Sequence, residues 1–319
     1  MQRILITGAT GQIGTELTPA LRSKYGPEAV IAAGHRKVPA DGFSRSGPYV
    51  TCDVRDREAL AEIVHRYQVD TIFHLAALLS ATAEEAPQQA WEVNVTGLIN
   101  VLEVSRAQGC AVFLPSSIGA FGPSTPKDPT PQVTIQRPTT IYGVSKVSGE
   151  LLGDYYHRRY GVDIRGVRFP GLVSHTAPPG GGTTDYAVEI FRAALKEKRY
   201  TCYLKPDTRL DMMYMPDAIR AALELMAAEP GRLRYRNAYN ITAMSLTPAE
   251  LAMAIKRRIP DFEIDYEIDP VRQAIADSWP NRLDDSAARS DWDWLPKFGL
   301  EKMAGEMLAR MREKIDGKS

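Results

Sequence analysis

Along the first half of the chain, short apolar runs rich in β-branched residues alternate with stretches whose apolar positions recur every three to four residues. The first pattern is that of a strand buried on both faces, the second that of a helix with one buried side. Residues 3–7 predict a strand, a glycine turn follows, and residues 13–22 predict a helix. The series continues with strands at 29–33 and 49–52, a helix at 57–67 and a strand at 71–75. A helix at 88–108, a strand at 111–114, a helix at 142–160 and a strand at 164–169 complete it. Alternation of this kind predicts an α/β fold: a doubly wound parallel sheet with its ligand at the carboxyl ends of the strands.

After Pro170-Gly171 the regularity fails, and a loop containing Pro178-Pro179-Gly180-Gly181-Gly182 leads into a predicted helix at 186–197. The expected division is residues 1–171 as the sheet domain, with a strand returning near 237–242, and 172–319 as mostly a smaller substrate-binding lobe. No internal repeat or low-complexity tract interrupts this plan.

Composition narrows the partners. Thirty-nine basic residues balance 39 acidic ones in a chain of 319 with 44% hydrophobic content. Neither a nucleic acid nor an anionic membrane is therefore expected, and a small molecule is. Cys52, Cys110 and Cys202 are odd in number and widely spaced, which suggests a reducing compartment rather than a disulfide framework or a zinc site. The apolar start at 1–7 is too short for a signal segment, and no 18-residue apolar stretch follows. The expected location is the cytoplasm.

The glycine turn reads Gly8-Ala9-Thr10-Gly11-Gln12-Ile13-Gly14, after a strand and opening a helix. In that context glycines let backbone N–H groups approach a pyrophosphate at the helix N-terminus, the signature of a Rossmann dinucleotide site. A carboxylate some 20 residues further on would ordinarily hold the 2′-hydroxyl of NAD. Here that stretch is Ala33-Gly34-His35-Arg36-Lys37, without an acid. Two readings stand open: a basic cluster for the 2′-phosphate of NADP, or a solvated charge run. Asp53 is placed to accept a hydrogen bond from adenine or to be an ordinary strand-end aspartate. His74-Leu75-Ala76-Ala77 ends the fourth strand with small residues that would let a cofactor pass, His74 itself reading as a packed core histidine.

Tyr142 and Lys146 stand at i and i+4 on a predicted helix, so they share a face. A nearby ammonium favours phenolate and draws a phenol towards the range of a general base. With 14 tyrosines and 12 lysines in 319 residues, chance supplies roughly half such a pair per chain, so its meaning depends on its company. That company includes Ser117, which closes the preceding strand and can converge with Tyr142 at the carboxyl edge of the sheet.

In order along the chain, the Gly-x-x-Gly-x-x-Gly loop, His-Leu-Ala-Ala at 74–77, Asn94-Val95-x-Gly97, Ser116-Ser117 and Tyr142-x-x-x-Lys146 resemble the extended short-chain dehydrogenase/reductase family over essentially the whole length. The resemblance implies Tyr142 as base, Lys146 as the residue that tunes it and binds the nicotinamide ribose, and Ser117 on the reacting oxygen. It implies cofactor contacts from Gly8, Gly11, Gln12, Ile13, Gly14, His35, Arg36, Asp53, Val54, Leu75, Ala76, Ala77, Asn94, Phe169 and Leu172 as well. A homodimer through the helices at 88–108 and 142–160 is likewise implied.

Within that family the chain is similar to the short-chain-type L-threonine 3-dehydrogenases. The carrying stretches are 76–84, 115–118, 168–172, 178–188, Met212-Met213-Tyr214-Met215 and Ala276-Asp277-Ser278-Trp279-Pro280. This implies oxidation of the threonine β-hydroxyl with NAD, the amino acid meeting Ser80, Ser117, Tyr142, Gly182, Thr183, Thr184 and Asp185. Hydroxyls and backbone N–H groups there would suit its carboxylate. The group usually carries aspartate where this chain has Gly34, so NADP stands as the alternative to NAD, which is favoured because a lone Arg36 is a thin phosphate site.

A nucleotide-sugar epimerase shares the fold and the Tyr-Lys pair and remains open. A dehydratase would place acids directly after Ser117, where Ile118-Gly119 stand. A non-catalytic NAD(P)-binding regulator tends to lose the tyrosine kept here. The five histidines show no ligand spacing with the cysteines, and no metal is expected.

Overall fold

A computed structural model describes residues 1–35, 41–176 and 180–317; Arg36, Lys37, Pro178 and Pro179 lie outside the described residues. The expected strands form as Ile4–Thr7 (β1), Val30–Gly34 (β2), Tyr49–Thr51 (β3), Thr71–His74 (β4), Ala111–Ser117 (β5) and Ile164–Phe169 (β6). Joined by the returning strand Tyr239–Asn240, they make a parallel seven-stranded sheet in the order Tyr239–Asn240, β6, β5, β4, β1, β2, β3. Period-2 alternation sends Ile4 and Ile6 to one face and Leu5 to the other, and all three are fully buried. Helices cover both sides, which is why these strands read as continuous apolar runs.

β1 pairs with β2 on one side and β4 on the other, Thr7 lying beside both Ala33 and His74. Successive crossovers diverge there, so a crevice opens beyond the carboxyl ends of β1 and β4. Gly8 enters it at once, with φ +70.

The helix expected at 88–108 is interrupted. Helix Pro87–Trp91 passes through a π turn, Glu92–Thr96, into helix Gly97–Gln108. The wider turn carries Asn94 inward, where its amide exchanges two hydrogen bonds with the Leu78 backbone, at 2.8 and 3.1 Å, and donates to Ser145 Oγ at 3.2 Å. Three segments are thereby stapled together, a common use of π bulges at functional sites.

Beyond β6 the chain forms a three-stranded sheet of Met244–Leu246, Leu210–Tyr214 and Gly171–Val173, and a parallel pair of Arg199–Cys202 with Glu263–Tyr266. These pack with helices Tyr186–Lys196, Pro248–Lys256 and Leu300–Ile315 around a core of their own. Helix Met215–Ala227 instead returns to β6, and Met215, Ala218 and Ala222 join the core under the main sheet. Among the described residues no helix is long and apolar enough to cross a membrane.

Candidate active site

The glycine loop reaches the crevice because Gly8 has no side chain to keep it out. A Cβ on Gly8 would lie 2.6 Å from the Ala76 nitrogen, so β4's extension passes in direct backbone contact. Helix Gly14–Tyr25 then starts without a side-chain cap, leaving its N-terminal dipole directed at the crevice. The Gln12 side-chain nitrogen is buried there with no hydrogen-bond partner among the described residues. A pyrophosphate would satisfy both features, so the residues present fit a dinucleotide.

β5 runs longer than its apolar stretch predicts, through Ser117, and delivers Ser116 and Ser117 to the same edge. Helix Ile141–Tyr160 is started by Thr140, whose hydroxyl accepts from the Gly143 N–H at 3.0 Å, and closed by Gly161 in the left-handed region. In its first turn Tyr142 is buried, and Lys146 Nζ, one turn on, lies 5.4 Å from its ring centroid. The ammonium donates to the Pro115 carbonyl at 2.9 Å, which ties it to β5.

Protonation in this pocket departs from the expectation. Burial pushes the Tyr142 phenol above its ordinary value, opposed by the Ser117 hydroxyl. Burial draws Lys146 down to about 8, opposed by Glu150 one turn further on. The ammonium lies over the ring and on a carbonyl, and desolvation dominates the phenol in this arrangement. His74 is buried, held near 3 by burial and then by Lys146, with Nδ1 2.8 Å from Thr7 Oγ1; it is the packed neutral histidine the sequence suggests.

A cavity of about 190 Å³ joins these parts. Of the expected cofactor residues Gly8, Gly11, Gln12, Ile13, Gly14, Leu75, Ala77, Tyr142, Lys146, Phe169 and Leu172 line it, and so do Ser80, Ser117, Gly182, Thr183, Thr184 and Asp185. Ala76 and Asn94 line a small adjoining cavity behind Lys146. Ser80 Oγ and Thr183 Oγ1 meet at 3.4 Å, and the Ala81 N–H donates to the Gly181 carbonyl at 3.2 Å, pinning the segment 181–183 to helix Ser80–Glu85.

Other expected residues are not brought in. Asp53 lies in a separate surface depression, where Arg55 donates to its carboxylate from Nε at 3.0 Å and Nη2 at 2.7 Å and holds it down to about 2. His35 Nε2 stands 3.5 Å from Asp53, half-exposed. Val54 is buried under Gly97, whose Cβ would fall 2.7 Å from Val54 Cγ2. Arg36 is outside the described residues. The Gly182 N–H, expected to be free for a carboxylate, donates with that of Gly181 to Asp185 Oδ2 at 2.8 and 2.9 Å. An aspartate three residues on satisfies those N–H groups first, and burial raises its own pKa against their pull.

Trp279 also lines the cavity, from the far end of the chain. Its stretch is distinctive in the sequence, but no spacing relates it to Tyr142.

Strand order, glycine loop and the Tyr142–Lys146 pair beside Ser117 together define a Rossmann-type enzyme acting through a nicotinamide dinucleotide. The chain belongs to the NAD dependent epimerase/dehydratase family, whose pattern matches residues 4–242. An L-threonine dehydrogenase from Clostridium difficile is 55% identical and superposes with a TM-score of 0.97 over 98% of each chain. The holo form of a GalE-like L-threonine dehydrogenase from Cupriavidus necator is 51% identical, with a TM-score of 0.94 over 97% of this chain and 99% of that one. An uncharacterised epimerase/dehydratase of Staphylococcus haemolyticus is 53% identical over 318 residues, all of both chains.

Proposed function

We propose that this protein is an NAD-dependent L-threonine 3-dehydrogenase that oxidises the β-hydroxyl to 2-amino-3-ketobutyrate. The observation that carries this is a single cavity holding the Tyr142 phenol and Ser117 together with Ser80, Thr183 and Asp185. The same cavity is lined by Gly8, Gly11 and Gly14, so cofactor and substrate would lie side by side in it. The threonine dehydrogenases among its structural relatives support the same substrate.

NAD, when bound, supplies the nicotinamide that accepts a hydride from the substrate Cβ. Gly8 to Gly14 would hold its pyrophosphate and Lys146 its nicotinamide ribose. Tyr142 removes the proton of the β-hydroxyl, so proton and hydride leave oxygen and carbon together and a ketone remains. Ser117 orients that oxygen, the Ser80 and Thr183 hydroxyls meet the carboxylate, and Asp185 supplies negative charge for the ammonium. Residues 172–319 provide most of the substrate side, and the glycines at 180–182 suit closure over it.

The purified protein with L-threonine is expected to reduce NAD, read as the absorbance of NADH. Turnover of a UDP-hexose with none of threonine would transfer the protein to the epimerases.

The same proposal includes a cytoplasmic homodimer. Val144, Leu151 and Tyr155 form an exposed stripe on helix Ile141–Tyr160, Leu151 being 62% exposed, which is unusual for large apolar residues unless a partner covers them. Leu151→Asp is expected to convert the dimer to a monomer in light scattering at micromolar concentration. A wild type already monomeric there rules this assembly out.

A further inference from the structure

Residue 34 ends β2 directly over the glycine loop: a Cβ built there would lie 3.5 Å from Thr10 Cγ2 and 2.3 Å from Tyr49 Oη. The space a side chain at 34 would take is thus filled by Tyr49. That residue stands opposite Ala32 in register on β3, packs its ring on the core under the sheet, and carries its hydroxyl across the end of β2. In doubly wound dinucleotide folds the group at this place meets the 2′-oxygen of the adenosine ribose.

We propose that the Tyr49 hydroxyl makes that contact, and that residue 34 is glycine because the phenol occupies its side-chain position. The inference rests on the dinucleotide reading of the glycine loop. Burial holds the phenol above its ordinary range, so a neutral hydroxyl, both donor and acceptor, stands where a carboxylate would carry charge. It bonds a ribose 2′-hydroxyl without repelling a 2′-phosphate, and discrimination against NADP is weak for that reason. Asp53 does not replace the missing acid, because Arg55 holds its carboxylate.

The test is a binding titration, without threonine, of NADH, its 2′-deoxyadenosine analogue and NADPH. Wild type is expected to bind NADH about 2- to 12-fold tighter than the deoxy analogue, the worth of one net hydrogen bond. Tyr49→Phe keeps the ring and loses that preference; Gly34→Ala, which displaces the hydroxyl, loses it as well. Gly34→Asp combined with Tyr49→Phe regains it and disfavours NADPH at least about tenfold more than wild type does. The inference is overturned if Tyr49→Phe keeps the wild-type preference, or if wild type rejects NADPH as strongly as the double variant. If folded wild type, checked by circular dichroism, binds neither NADH nor NADPH, the dinucleotide reading itself is lost and this inference with it.

Discussion

Replacing Tyr142 with phenylalanine is expected to lower kcat for threonine oxidation by about two to four orders of magnitude while NADH binds within about twofold of wild type. The ring is packed: a Cβ on Gly119 would come 3.0 Å from Tyr142 Cε1, and phenylalanine preserves that surface. Only the oxygen goes, and with it the proton acceptor beside Ser117. Since the base must be deprotonated, wild-type kcat/KM rises with pH along its acid limb. Tyr142 raised by burial and Lys146 lowered to about 8 are neighbours, so that limb belongs to the pair rather than to either residue. Removing the ammonium by Lys146→Met should move the limb to higher pH, because its attraction for phenolate is lost. Activity of Tyr142→Phe within tenfold of wild type would mean that the proton leaves by another group.

The second large effect is on stability. Behind the site, Arg168 on β6 donates to both oxygens of Glu150, at 2.9 and 2.7 Å, with both residues nearly inaccessible to water. Ser116 on β5 and Gln136 donate to the same carboxylate, and Arg168 also reaches the Gln132 carbonyl and Asn240 Oδ1, each at 2.9 Å. One ion pair thus links three adjacent strands to the helix that carries Tyr142 and Lys146. Arg168→Met leaves a buried carboxylate without its cation and should cost about 3–5 kcal/mol in urea unfolding. Adding Glu150→Gln should restore a large part, since no unpaired charge then remains. A loss below about 1 kcal/mol from the single change would show that the network tolerates an unpaired carboxylate.

Much of this was legible beforehand because it is written in local patterns. Apolar runs record strands covered on both faces, so the order and approximate bounds of β1 to β6 followed from periodicity. Glycine spacing and an i, i+4 pair are equally local, and the loop and the Tyr142 face stood where they were expected. Boundaries slipped where a tertiary contact overrode the local signal. Asn94 lies in a π turn within a helix read as continuous, its side-chain amide bonded to Leu78 and Ser145 from distant segments. β5 ran on to Ser117 past its apolar residues because β6 offered a full ladder, with Ser117 beside Phe169.

The site divides in the same way. By itself the sequence determined that a glycine loop opens a helix, that Tyr142 and Lys146 share a face, and that the fold is doubly wound, since each depends on residues within a few positions of one another. Tertiary structure alone decided that Ser80 and Thr183, 103 residues apart, meet beside that tyrosine with Trp279, that Arg55 holds Asp53 away from the cavity, and that Tyr49 fills the place beside Gly34. It also set the protonation levels, with burial raising Tyr142 and lowering Lys146. Desolvation and steric exclusion arise only when distant segments close on one another, and no spacing along the chain encodes that closure.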